Sequence, residues 1–259
     1  MRIIIITEKD EFYLPISIYH ILLNCRHNII SVVCARNPLT SSTFKTAIKF
    51  YTTFGFPPLI KHAVRLFIAK FLDIISLLQH TKQFYSIKNV CKHFKIQYQF
   101  IRKLNSNEFL EYCKRCDVDL ILSVSPTQIF GPKLISIPKF GCINVHSSWL
   151  PKYRGLYPTY WAMSKGETSI GVTVHCLEKG IDTGGIILQA GVEIPLNATL
   201  DTMLIRTKFL GAQLLLKTIE LIASNKVEPQ MPDLKKGSYY SFPTRKSYKD
   251  FIKRGYTLW

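Results

Sequence analysis

Acidic residues are scarce in this chain: 17 Asp and Glu stand against 34 Lys and Arg, a formal net charge of +17 over 259 residues. That imbalance excludes a polyanionic surface and implies an anionic partner. A phosphorylated small molecule, tRNA or an acidic membrane would each satisfy it, whereas no feature points to DNA. Glycine is missing where a phosphate would need it. The run Ile3-Ile4-Ile5-Ile6 leads into Thr7-Glu8-Lys9-Asp10, which excludes a pyrophosphate-binding turn there, and no phosphate-loop signature occurs elsewhere. Long apolar runs are also lacking. Leu66 to Leu78 is interrupted by Lys70 and Asp73, well short of the roughly 20 residues that span a bilayer. The first apolar run is too short for a signal peptide, so a soluble, cytoplasmic protein is expected. The seven cysteines are odd in number and scattered, which suits a reducing compartment. Cys113-x-x-Cys116 has no second pair and no nearby histidine, and no cluster suggests a metal.

What is present alternates. Strand-like runs at 2–6, 29–34, 118–124 and 142–146 are separated by helical patterns near 14–25, 85–95, 107–115 and 131–137. Runs such as Leu120-Ile121-Leu122 are continuously apolar, as strands buried on both faces are. The expected class is α/β: a Rossmann-like, mostly parallel twisted sheet with helices on both faces, a helical insertion and a short C-terminal extension. Beyond residue 146, a short helix at 157–165, a strand pair at 170–177 and 186–194, and a long amphipathic helix at 199–223 follow. One domain to about residue 225 is expected, followed by a basic and aromatic extension at 226–259.

Residues 141–189 carry the chemistry. If Cys142-Ile143-Asn144-Val145-His146 is a strand, its period of two sends Asn144 and His146 to one face near the carboxyl end, where α/β sheets bind ligands. Asp182, in the turn Gly180-Ile181-Asp182-Thr183-Gly184, can fold back to orient the imidazole. An amide donor suits an oxyanion, and a histidine suits the proton that an attacking amine loses. Together they make a site for acyl transfer to an amine without a Ser or Cys nucleophile. Taken singly, each has a plainer reading: a core histidine, a loop-capping Asn, an Asx turn.

Asn144-x-His146, then Leu150-Pro151 with Arg154-Gly155, then Asp182-Thr183-Gly184 closely resemble the signature of the formyltransferases that use 10-formyltetrahydrofolate. These include glycinamide ribonucleotide, methionyl-tRNA and nucleotide-linked amino-sugar formyltransferases. Ser147 departs from the pattern, standing where the family usually has proline. The resemblance implies catalytic roles for Asn144, His146 and Asp182. It further implies a folate pocket lined by Gln128, Ile129 and Phe130 and by Glu178, Gly180 and Ile181; Ile129 and Phe130 are expected to form an apolar slot beside the three catalytic residues, the plainer reading being that they only pack the next helix. Lys152, Arg154 and Tyr157 are expected on the acceptor side. The implied reaction is formyl transfer to a primary amine of a phosphorylated acceptor, foremost a nucleotide-linked 4-amino-4,6-dideoxy sugar. Methionyl-tRNA is the lesser alternative, because its enzymes carry a further C-terminal barrel for which little chain remains here. Another amine acceptor is also open. The alternatives of another class are a non-catalytic folate- or nucleotide-binding protein and a basic peripheral membrane protein anchored by the 59–78 helix.

Two segments lie outside the resemblance. Residues 41–80, with Phe54-Gly55-Phe56-Pro57-Pro58 and a helix-like run from Leu59 to Leu78, could pack on their own domain, join a second subunit in a homodimer, or lie on a membrane surface. The tail from Lys235 to Trp259 could contact substrate, or its aromatics could dock on the core.

Overall fold

The computed structural model describes residues 1–38, 43–79 and 83–259, so the ends of the insertion, 41–42 and 80, lie outside the described residues. In chain order the first half comprises β1 (Arg2–Glu8), α1 (Leu14–Asn24), β2 (Asn28–Ala35), α2 (Thr43–Phe54), α3 (Phe56–Gln79), α4 (Ile87–His93), β3 (Gln97–Ile101) and α5 (Asn107–Arg115). Then come β4 (Leu120–Val124), α6 (Pro132–Ile135), β5 (Cys142–His146), β6 (Arg154–Gly155), α7 (Pro158–Lys165), β7 (Ser169–Cys176), β8 (Ile186–Glu193) and α8 (Leu200–Ala223). The tail adds β9 (Tyr239–Tyr240) and α9 (Arg245–Lys253).

Seven strands form one sheet in the order β3-β2-β1-β4-β5-β7-β8. Pairing is parallel from β3 to β5 and antiparallel through β7 and β8. The isoleucine run of β1 shows why the apolar stretches are continuous. Ile3 and Ile5 pack on one face with Ile18 of α1 and Leu215 of α8, while Ile4 and Ile6 pack on the other with Phe109 of α5 and Leu134 of α6. Alternate side chains thus enter two cores at once.

Three features differ from the sequence expectation or extend it. Strand β3 is absent from the expected elements, because Gln97 and Gln99 break its apolar pattern; it lies at the sheet edge, where one side needs no partner. Among the described residues the insertion holds two helices, divided at Gly55, whose φ of +94° a residue with a side chain rarely adopts. Pro57 and Pro58 then sit in the first turn of α3, where missing N–H groups cost no helical bond. The tail, finally, joins a third core. Phe251 and Leu258 pack there with Phe54 of α2, Tyr160 and Trp161 of α7 and Met203 of α8, and a Thr244–Ser247 capping box starts α9.

Candidate active site

Strand register puts Ser123, Asn144 and His175 side by side across β4, β5 and β7. All three are buried. Ser123 Oγ donates to Asn144 Oδ1 at 2.7 Å, and Asn144 Nδ2 lies 3.1 Å from His175 Nε2. His175 Nδ1 faces the carbonyl of Cys176 at 2.8 Å, and a carbonyl only accepts, so the proton sits on Nδ1. Nε2 is therefore the acceptor, and Asn144 donates to it. Held from both ends, the Asn144 amide has a second N–H that neither bond uses.

Two residues further along β5, on the same face, His146 Nε2 donates to the carbonyl of Tyr153 at 2.8 Å. Its Nδ1 lies 3.6 Å from Asp182 Oδ2. Asp182 adopts φ +53°, a left-handed conformation that Asp tolerates better than most residues. Its Oδ2 accepts from the Gly155 N–H at 2.8 Å and its Oδ1 is 3.6 Å from His175 Nε2. Burial is the largest influence on His146 and lowers its pKa; the facing Asp182 only partly offsets it. Burial alone would raise Asp182, but the imidazoles of His146 and His175 and the Gly155 N–H outweigh it and hold the carboxyl well below the usual range. At neutral pH the resting pair is an ionised Asp182 and a neutral His146 with an open Nδ1. A proton arriving at Nδ1 would meet the carboxylate directly.

The loop after β5 is tied down without the usual proline. Thr173 Oγ1 donates to Ser148 O at 2.6 Å, and Gln189 Nε2 reaches both Thr173 Oγ1 at 2.8 Å and Leu150 O at 3.1 Å. Gly155 needs to be glycine twice over: its φ is +93°, and a Cβ there would lie 2.3 Å from the carbonyl of Tyr240. That contact arises because β9 pairs with β6, so the tail helps to position the N–H that holds Asp182.

The other anticipated residues are placed as follows. Gln128 is absorbed by backbone: Nε2 donates to Arg36 O and Arg102 O, and Oε1 accepts from Leu104 N. Phe130 is buried in the core with Leu134, whereas Ile129 between them is 66% exposed. Glu178, Gly180 and Ile181 are exposed on the turn that carries Asp182. The two loops leave β4 and β7, the strands that flank β5. Lys152 turns to Glu167 at 3.8 Å. Arg154 has a buried Nε without a hydrogen-bond partner, and Tyr157, exposed, meets Phe242 edge-on.

Sequence reasoning misses Ser123, His175 and a second polar group beside the site. At the carboxyl end of β1, Glu8 accepts from Asn37 at 2.6 Å, and burial with Asp10 nearby pushes its pKa up to about 7 despite Lys208. Lys208 of α8 donates to Ser125 Oγ, and burial lowers its pKa. A signal exists for the first two: each is a polar residue inside an otherwise apolar strand, as in Leu-Ile-Leu-Ser-Val and Val-Thr-Val-His-Cys. At the same end of the sheet, Asp10 Oδ1 accepts from the N–H groups of Phe12 and Leu14 at 2.9 and 2.8 Å. The chain's own carboxylate thus fills the helix terminus where dinucleotide folds seat a phosphate.

Comparison with known proteins shows the family. The family profile described as formyl transferase matches residues 73–219, more than half of the chain. The chain belongs to the formyl transferase family. A methionyl-tRNA formyltransferase of Pelotomaculum thermopropionicum is 39% identical over 130 residues, 50% of this chain and 41% of that protein. The chain spans about half the length of the curated relatives it matches. Among solved structures, the formyltransferase PseJ of Anoxybacillus kamchatkensis, in complex with UDP-4,6-dideoxy-4-formamido-L-AltNAc and tetrahydrofolate, is 26% identical. The match covers 64% of this chain and 84% of that one, with a TM-score of 0.50. A 4-N formyltransferase from Francisella tularensis shares the fold along nearly the whole chain, with a TM-score of 0.60 at 19% identity, covering 98% of this chain and 87% of that one. Asn144, His146, His175 and Asp182 all fall inside the segment that the family profile matches.

Proposed function

We propose that this protein is an N-formyltransferase that moves the formyl group of 10-formyltetrahydrofolate to the primary amine of a phosphorylated acceptor, foremost a nucleotide-linked 4-amino-4,6-dideoxy sugar. The observation that carries the reading is the convergence of a held amide donor, an open imidazole nitrogen and an ionised carboxylate at one end of β5. When bound, the folate supplies the formyl carbon. Asn144 donates its second N–H to the formyl oxygen as negative charge develops there. His146 Nδ1 accepts the proton that the attacking amine loses, and Asp182 stabilises the imidazolium so formed. The open faces of Ile129 and Ile181, on loops flanking β5, suit a flat heteroaromatic donor.

Two observations favour a sugar nucleotide as acceptor. PseJ was solved with a formylated UDP-linked 4,6-dideoxy sugar, and Arg154, whose buried Nε has no hydrogen-bond partner, precedes in the chain the Gly155 whose N–H holds Asp182, so a cation suited to a phosphate stands one residue from the catalytic loop. Methionyl-tRNA is the second reading, favoured by the identity of the curated relatives and equally served by the net charge of +17. Mass spectrometry of protein incubated with 10-formyltetrahydrofolate and either nucleotide-linked amino sugars or methionyl-tRNA separates them. Formylation of the sugar, lost in His146→Ala, supports the first reading, and formylation of the tRNA alone replaces it with the second. No product on either acceptor would defeat both.

A further inference from the structure

Helix α3 carries its largest exposed apolar side chains on the face turned away from the domain. Its inward face mixes half-buried Leu66 and Leu72 with small and polar groups: Ala69 and Ser76 are buried, Arg65 pairs with Asp201 of α8 at 2.7 Å, and Asp73 accepts from Asn89 of α4 at 2.7 Å. Its outward face is apolar. Phe56, Ile60, Val64, Phe67, Phe71 and Ile74 recur at spacings of three and four, which places them on one stripe, and they are between 48% and 73% exposed. Phe44 of α2 adds a side chain 75% exposed. Ordinary surface helices present the reverse pattern, and a contiguous apolar patch of this kind marks an interaction site.

We propose that the outer face of α3 seats this protein on the surface of an anionic lipid bilayer. Charge selects that occupant. Exposed Lys61 and Lys70 flank the stripe on its two sides, and the only acidic residue on α2 or α3, Asp73, is engaged inward with Asn89. The chain as a whole carries +17. A second copy would bring a like-charged rim against this one with no acid on the face to compensate, whereas an anionic headgroup layer complements it. Phenylalanines flanked by lysines suit insertion at the boundary of headgroups and acyl chains, with the helix lying in the plane. No helix among the described residues is long and apolar enough to cross a membrane, so contact is with the surface only. Most of α3 precedes the family-matched segment, which begins at residue 73; the inference stands apart from the choice of acceptor.

Flotation of the full chain with vesicles tests the proposal. Vesicles of phosphatidylcholine containing one third phosphatidylglycerol are expected to carry the wild-type protein, and pure phosphatidylcholine vesicles far less of it. Phe67→Ser with Phe71→Ser removes exposed side chains only and should weaken binding to the anionic vesicles about tenfold or more, with the circular dichroism spectrum unchanged. Lys61→Glu with Lys70→Glu should do the same through charge. Absence of flotation, or equal flotation of the wild type and both double variants, would overturn it. So would sedimentation showing a dimer that the Phe67/Phe71 variant dissociates while neither protein binds vesicles, since the face would then join two copies of this chain.

Discussion

At the carboxyl end of β5, Ser123, Asn144, His146 and His175 are polar side chains withdrawn almost wholly from water, each with a hydrogen-bond partner. On the outer face of α3 the relation is inverted, with Phe67 at 73% and Ile74 at 63% exposed. Both regions break the rule that apolar groups go inside and polar groups outside, and they do so by different means. In the first, the cost of burying polar atoms is offset by a closed hydrogen-bond network. In the second, the inward contacts hold the helix in place and the outward surface is left unassisted. Local violations of this kind are where function is concentrated.

The largest expected effect tests whether the buried network is chemical or merely structural. His146→Ala and Asp182→Asn should each lower turnover by roughly 10²- to 10⁴-fold in a steady-state formylation assay, with affinity for a tetrahydrofolate analogue little changed by fluorescence titration. Near-normal turnover in both would reduce the site to a packing feature. Because burial holds His146 neutral at pH 7, kcat should be level from pH 7 to 8 and fall on acidification, as Nδ1 becomes occupied before the amine arrives.

A smaller effect probes the network's outer member. His175→Leu leaves the Asn144 amide without its acceptor, and a buried unsatisfied donor costs about 1–3 kcal/mol, measurable by urea unfolding. Turnover should fall as well, since Asn144 loses one of the two partners that aim it. Unchanged stability would show that water replaces the imidazole there and that the contrast with α3 is overdrawn.

Glu8 sharpens the comparison from a different side. Its carboxyl binds its proton more tightly folded, at about 7, than unfolded, near the ordinary 4.5. The associated stability is present in full below pH 4.5 and is lost as pH rises towards 7. Glu8→Gln should abolish that loss, so the variant's melting temperature should exceed the wild type's by a few degrees at pH 8 and match it near pH 4. An unchanged pH profile would mean that the surrounding polar groups solvate the carboxylate. The smallest effect belongs to α3: Phe67→Ser should leave unfolding stability within about 0.5 kcal/mol, where a similar truncation of buried Phe109 costs several.

Much of the fold and of the site is legible in the order of the amino acids. Continuous apolar runs imply strands buried on both faces, and the spacing within Asn144-x-His146 implies a shared face, because strand periodicity is a property of the local backbone. The Leu-Pro and Asp-Thr-Gly matches extend that to a family resemblance. Strand β3 is not legible in the same way, because an edge strand need not be apolar on both faces. Gly55 is a helix breaker whose effect can be read, yet α3 begins at Phe56 rather than at the Leu59 that the pattern suggests, since the two prolines between them fit its first turn.

By itself, then, the sequence determined the alternation of elements, the basic charge and the shared strand face of Asn144 and His146, all of which follow from residue type and short-range spacing; it marked Asp182 as a candidate through its glycine-bounded turn and the family resemblance. Only the tertiary structure decided that Ser123 and His175 orient Asn144, and that His146 turns Nδ1 to Asp182 because Tyr153 takes Nε2. It likewise decided that the tail reaches Asp182 through Tyr240 and Gly155, and that α3 turns its apolar stripe outward. These depend on register between distant strands and on which face of a helix meets the core. Periodicity describes a stripe on a helix but carries no information about the side from which the rest of the molecule approaches.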